Sequence, residues 1–224
     1  MAQRGVAKRL WYDWLRFVCR LTALVVFRVR CQNRQRVPDV GGGLVLSNHQ
    51  SHLDPVLIGL ACDRRLNFLA RQSLFGFAPF RWLIESLDAI PIDREGSGLG
   101  GLKETLRRLK RDELVLIFPE GTRTPDGEVQ AFKPGFVALA RRAGKPLAPV
   151  GIDGAFASWP RSRWLPRPAV IHIEFGAPLS PAEVAALDDQ ALVQEIESRV
   201  RECQQAARSS RQRAQRADNE SNQS

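Results

Sequence analysis

A chain of 224 residues with 44% hydrophobic content can bury one core of its own, and it fits a single domain with decorated ends. Its 33 Lys and Arg against 24 Asp and Glu leave a formal charge of +9, which suits an anionic partner: a phosphate compound, nucleic acid or an acidic bilayer. Cys19, Cys31, Cys62 and Cys203 are too scattered for a paired zinc site or a disulfide scaffold and fit a reducing compartment, while three histidines argue against a His-rich metal centre.

Residues 1–36 carry basic groups from Arg4 to Arg36 opposed only by Asp13, interleaved with Leu10, Trp11, Trp14, Leu15, Phe17, Val18, Leu21, Leu24, Val25 and Phe27. Their i, i+3, i+4, i+7 spacing predicts an amphipathic helix rich in Trp and Arg. Its longest uncharged run, 21–27, is far short of the roughly 20 apolar residues that span a bilayer. Arg16 and Arg20 interrupt what would otherwise imitate a signal-peptide core. A helix lying in the interface, with aromatics inserted and Arg among lipid phosphates, accounts for this composition. A helix packed on the domain with a solvated basic face is the alternative.

From 37 to 207 short apolar runs alternate with helical patterns. Strands are predicted at 44–47, 66–70, 89–92, 114–118, 147–152 and 170–175, and helices at 55–62, 77–87, 99–110 and 135–143. The alternation predicts an α/β domain: one largely parallel, mixed sheet flanked by helices, with its chemistry where strands run out into loops.

The first such loop reads Ser47-Asn48-His49-Gln50-Ser51-His52-Leu53-Asp54-Pro55. A His followed five positions on by an Asp in a strand-to-helix turn can place a carboxylate on one imidazole nitrogen, fixing the tautomer and leaving the other nitrogen as a base. Asp54 before Pro55 also suits a helix cap, which leaves a purely structural role open. Two further strands end in Ile92-Asp93-Arg94 and Phe118-Pro119-Glu120-Gly121-Thr122-Arg123, and Phe132-Lys133-Pro134-Gly135 follows. Arg forks suit a phosphate monoester, and Gly121 permits close backbone approach. Cys62, in an apolar helical run, reads as core.

Ser180, Pro181 and Glu183 form a capping box that starts a final helix, expected to run to about Ala207. Residues 208–224 are polar and basic with almost no apolar side chains, and composition predicts a disordered tail. It lacks the interleaved aromatics of a nucleic-acid-binding tail.

In their order, these blocks resemble the glycerolipid acyltransferases typified by 1-acylglycerol-3-phosphate acyltransferase. The match runs through Asn48-His49-Gln50-Ser51-His52-Leu53-Asp54, Ile92-Asp93-Arg94, Phe118 to Arg123 with Phe132-Lys133-Pro134-Gly135, and Pro146-Leu147-Ala148-Pro149-Val150. The resemblance implies His49 as base, Asp54 as its orienting partner, and acceptor-phosphate binding by Arg94 with Glu120, Gly121, Thr122 and Arg123, assisted by Lys133. His52 is a rival base inside the first block, but its separation from Asp54 does not fit the pattern. Pro91 stands where the family usually has Phe.

The implied reaction moves a fatty acyl group from a thioester to 1-acylglycerol-3-phosphate, giving phosphatidic acid. The donor is acyl-coenzyme A or acyl carrier protein, with no tightly bound cofactor and no metal. The implied setting is the cytoplasmic face of an anionic membrane, to which the protein is peripheral or monotopic, with a lysophospholipid acceptor and no nucleic-acid partner. Another lysolipid acceptor and a basic nucleic-acid-binding protein are the competing readings.

Overall fold

The computed structural model describes residues 6–71, 89–92 and 99–221. Their strands are β1 (Arg30–Gln32), β2 (Gly43–Ser47), β3 (Leu66–Arg71), β4 (Ala89–Ile92), β5 (Leu114–Ile117), β6 (Leu147–Asp153) and β7 (His172–Phe175). The helices are α1 (Val6–Val25), α2 (Asp54–Ala61), α3 (Leu99–Leu109), α4 (Val137–Ala143), α5 (Ala155–Ser158), α6 (Pro181–Ala186) and α7 (Asp189–Ser221).

The strands form one seven-stranded sheet in the order β1-β7-β6-β2-β5-β3-β4, parallel throughout except where β6 meets β7. The expected α/β domain with a mixed, largely parallel sheet is therefore the observed one. Both sheet faces are covered, which is why the strands read as continuous apolar runs rather than alternating ones. Val45, Leu114, Leu116, Val150 and Ile152 face a cluster with Leu57 and Ile58 of α2 and Ala23 of α1. Leu44, Leu46, Val115, Ile117 and Leu147 face the opposite cluster, with Val137 of α4 and Leu192, Ile196 and Val200 of α7. Each such fully buried aliphatic side chain contributes about 1.5–3 kcal/mol relative to leaving it in water. Pro91 lies on β4, at the sheet's edge among the described strands, where a missing N–H costs least.

Helix α7 crosses β6 so closely that a Cβ on Gly151 would lie 2.1 Å from the Gln204 backbone nitrogen. Only glycine lets the two backbones approach to this degree.

Several expectations need correction. β1 was not expected: it is a three-residue strand without an apolar run, paired with β7. The final helix breaks at Leu187, which is extended, and restarts where Asp188 Oδ1 accepts from the Ala191 amide at 2.8 Å. The expected disordered tail is instead helical to Ser221. Buried Asp153 supplies what composition does not show: its Oδ1 accepts from Arg208 Nε at 3.2 Å and its Oδ2 from Arg211 Nε at 2.7 Å. The predicted helix at 77–87 lies outside the described residues.

Helix α1 is amphipathic as expected, and its outer face shows Trp14, Phe17, Leu21 and Leu24, each more than half exposed. The arginines are less free than composition suggests. Arg20 donates to the Leu60 carbonyl from Nε and Nη2, and Arg28 pairs with Asp218 at 2.8 Å. No helix among the described residues is long and apolar enough to cross a membrane.

Candidate active site

Strands β2 and β5 are parallel neighbours, so their C-terminal loops emerge side by side. On the β2 loop, Asp54 opens α2 but does not cap it: Oδ2 turns back to accept from the Gln50 amide at 2.6 Å and the Ser51 amide at 2.7 Å. His49 Nδ1 stands 2.8 Å from the same oxygen. An oxygen faced by three nitrogens in this way is an acceptor, so Nδ1 carries the hydrogen and Nε2 keeps its lone pair. Asp54 is fully buried, whereas the His49 side chain remains 16% exposed. The Phe118 ring stacks on the imidazole at 4.0 Å and 16°.

The turn is held by groups that the spacing argument did not single out. Asn48 acts as an extra rung between β2 and β6, donating from Nδ2 to the Ile152 carbonyl and accepting the Ile152 amide on Oδ1, both at 2.9 Å. Gln50 donates from Nε2 to the Gly127 carbonyl at 2.7 Å and accepts from the Phe156 amide at 3.2 Å. The Thr124 amide donates to the His49 carbonyl at 2.8 Å. A polar run at a strand end gives no local sign of such partners, because they lie about 75 to 105 positions further along the chain.

Glu120, expected at the acceptor phosphate, is seen here against the His49 backbone. It is 2% exposed, and its Oε1 accepts from the His49 backbone amide at 3.1 Å. Burial pushes its carboxyl up to about 8, against the opposing pull of the His49 and Gln130 amides. A buried acid bonded to backbone in this way braces the turn.

Gly121 adopts a φ of +73°, with Lys133 lying over it: an added Cβ would sit 3.2 Å from Nζ. Thr122 is exposed and Arg123 half-buried on the same loop. Four of the expected residues, Gly121, Thr122, Arg123 and Lys133, thus gather on the β5 loop and its return. Arg94 lies outside the described residues.

His52 does not share the carboxylate; its exposed ring lies against Trp159 at 4.9 Å. Desolvation there, with the Arg123 charge and His49 nearby, lowers the imidazole to about 4. Cys62 is buried, as its apolar run implied. Among the described residues no group of three or more His, Cys, Asp or Glu side chains is placed to hold a metal ion.

Residues 28–153 match the protein family described as acyltransferase, a span that ends with β6 and takes in every loop of the site. The chain belongs to this acyltransferase family and is an enzyme of the 1-acylglycerol-3-phosphate acyltransferase-like kind. Among its relatives, the 1-acyl-sn-glycerol-3-phosphate acyltransferase of Pseudomonas aeruginosa is 32% identical over 190 residues, covering 80% of this chain and 72% of the relative. The Bacillus subtilis enzyme of the same name is 26% identical over 179 residues, 78% of this chain and 87% of its own. The crystal structure of the 1-acyl-sn-glycerophosphate (LPA) acyltransferase PlsC from Thermotoga maritima superposes with a TM-score of 0.77 at 25% identity, covering 92% of this chain and 83% of that one.

Proposed function

We propose that the enzyme transfers a fatty acyl group from a thioester to the free hydroxyl of 1-acylglycerol-3-phosphate, giving phosphatidic acid. The observation that carries this reading is the His49–Asp54 contact at 2.8 Å. His49 Nε2 takes the hydroxyl proton as that oxygen attacks the thioester carbonyl, and Asp54 stabilises the imidazolium that forms. Collapse of the tetrahedral intermediate expels the thiolate, which takes the proton from His49, so no covalent acyl-enzyme is needed. Glu120 sets the height of His49 by holding its backbone. Arg123 and Lys133, with Arg94, bind the acceptor phosphate, and Gly121 and Thr122 let it approach the backbone. The donor is acyl-coenzyme A or acyl carrier protein.

Acceptor and product are bilayer lipids, and the exposed apolar face of α1 supports a peripheral or monotopic attachment to the cytoplasmic face of an anionic membrane. The test is to incubate purified protein with a panel of lysolipids and both thioesters and to identify products by mass spectrometry. Phosphatidic acid from 1-acylglycerol-3-phosphate, with competition by simple phosphomonoesters, is the expected result. Preferred acylation of a phosphodiester lysolipid, without that competition, sinks the acceptor assignment.

A further inference from the structure

Beyond α5 the chain runs Trp159-Pro160-Arg161-Ser162-Arg163-Trp164-Leu165-Pro166-Arg167-Pro168, with no acidic residue. Trp164 is 88% exposed and Leu165 62%. Single exposed apolar side chains are ordinary, but a Trp-Leu pair at the tip of a basic loop is an amphipathic patch.

The exposure is built in, not a product of slack. At the loop's base the Arg167 amide donates to the Ser158 carbonyl at 3.1 Å, and Ser158 Oγ donates to the Arg167 carbonyl at 2.7 Å. Inside it, Trp159 Nε1 donates to the Arg163 carbonyl at 3.0 Å, and the Arg163 amide closes a turn onto Pro160. Three prolines remove further freedom. Among the described residues, neither Arg161 nor Arg163 has an acidic partner.

We propose that residues 159–168 form a second membrane-docking element, whose Trp164-Leu165 tip enters an anionic bilayer while Arg161 and Arg163 meet lipid phosphates. Trp suits this position because its ring is apolar and its N–H polar, and Arg because its fork matches phosphate oxygens. The loop is rooted in the catalytic turn: Ser51 Oγ donates to the Trp159 carbonyl at 3.0 Å, and Trp159 lies against His52. Helix α1 is rooted at the far end of α2, through Arg20 and the Leu60 carbonyl. Two exposed Trp-bearing elements thus attach at either end of the segment that begins with the His49 turn. This deepens the proposed function, but its test reads lipid binding without turnover and stands apart from that reading.

The full chain is sedimented with phosphatidylcholine vesicles, with and without phosphatidylglycerol, and partition is compared for wild type, Trp164→Ala/Leu165→Ala and Arg161→Gln/Arg163→Gln. Val40→Ala, at another exposed apolar site, is the reference. The tip variant is expected to bind about tenfold more weakly to both vesicle types, while the arginine variant loses only the preference for anionic vesicles. Melting temperature and turnover of a short-chain soluble acceptor stay at wild-type values. With Trp164→Phe, quenching of tryptophan fluorescence by lipids brominated on the acyl chain falls, which reads insertion even if the double variant folds poorly. Unchanged partition and unchanged quenching overturn the proposal. So does loss of turnover with acyl carrier protein as donor while vesicle binding stands, because the patch then serves an acidic protein.

Discussion

The His49 backbone amide donates to Glu120 Oε1 at 3.1 Å, between the loops that leave the parallel neighbours β2 and β5. The β5 loop therefore holds the His49 backbone through Glu120, while Asp54 holds the imidazole itself. Between its ordinary value of 4.5 and about 8, the folded protein keeps a Glu120 proton that the unfolded chain has released. That contribution to stability is complete below 4.5 and is lost as pH rises through about 8. Glu120→Gln keeps an acceptor for the His49 amide and removes the ionisation. Its melting temperature relative to wild type is expected to rise steadily from about pH 5 to about pH 8. A difference that stays constant over this range refutes the assignment.

His49→Ala removes the base and is expected to lower turnover by about 10²–10⁴-fold or more with little change in melting temperature. His52→Ala should leave most of the activity, since its ring does not share the carboxylate. The reverse pattern would falsify the choice of base.

Asp54→Asn replaces a pure acceptor with a group that also donates, which favours the wrong imidazole tautomer. A loss on the order of 10⁴-fold in kcat is expected, with the KM for either substrate changing far less. Because Oδ2 also holds two backbone amides, some loss of melting temperature accompanies it. A fall in stability alone, with turnover intact, makes Asp54 a purely structural residue.

For Arg123→Ala and Lys133→Ala the KM of the lysolipid should rise, and that of the thioester should not. A charge-assisted bond to phosphate contributes about 1.5–3 kcal/mol, roughly a 10- to 150-fold effect. Arg94→Ala is expected to behave alike. Initial-rate kinetics in which the thioester KM moves instead reverse the two sites.

Deleting the N-terminal helix through residue 33 is a poor probe of membrane binding, because Ala23 and Phe27 are part of the core. Trp14→Ser/Phe17→Ser/Leu21→Ser alters only the outer face. Weaker partition onto anionic vesicles, lower turnover of bilayer-embedded lysolipid and an unchanged melting temperature are expected. Vesicle binding at wild-type strength leaves α1 as packing alone.

The apolar runs at 66–70, 89–92, 114–118 and 147–152 were legible as strands because both sheet faces are covered and length separates them from helices. β1 was not, since three residues without an apolar run become a strand only by pairing with β7, some 140 positions away. The tail misled for a related reason: composition reports what a segment lacks, whereas Asp153 lies on another strand. In the site, the spacing of His49 and Asp54 sufficed because their contact is local. Asn48, Gln50 and Glu120 act through backbone groups far along the chain, and no spacing encodes that. Glu120 was recognised as part of a block, but its direction, inward to the His49 amide, is a tertiary property.

Among the described strands β1 pairs only with β7, some 140 positions further on, and β7 and β6 are covered by α7. A pairing across so long a stretch of chain closes late in folding, after the local elements between the two strands have formed. The edge of the sheet is thus the part of the fold set by the widest separation in sequence, while the His49 turn, held by Asp54 five positions on, is set by one of the narrowest.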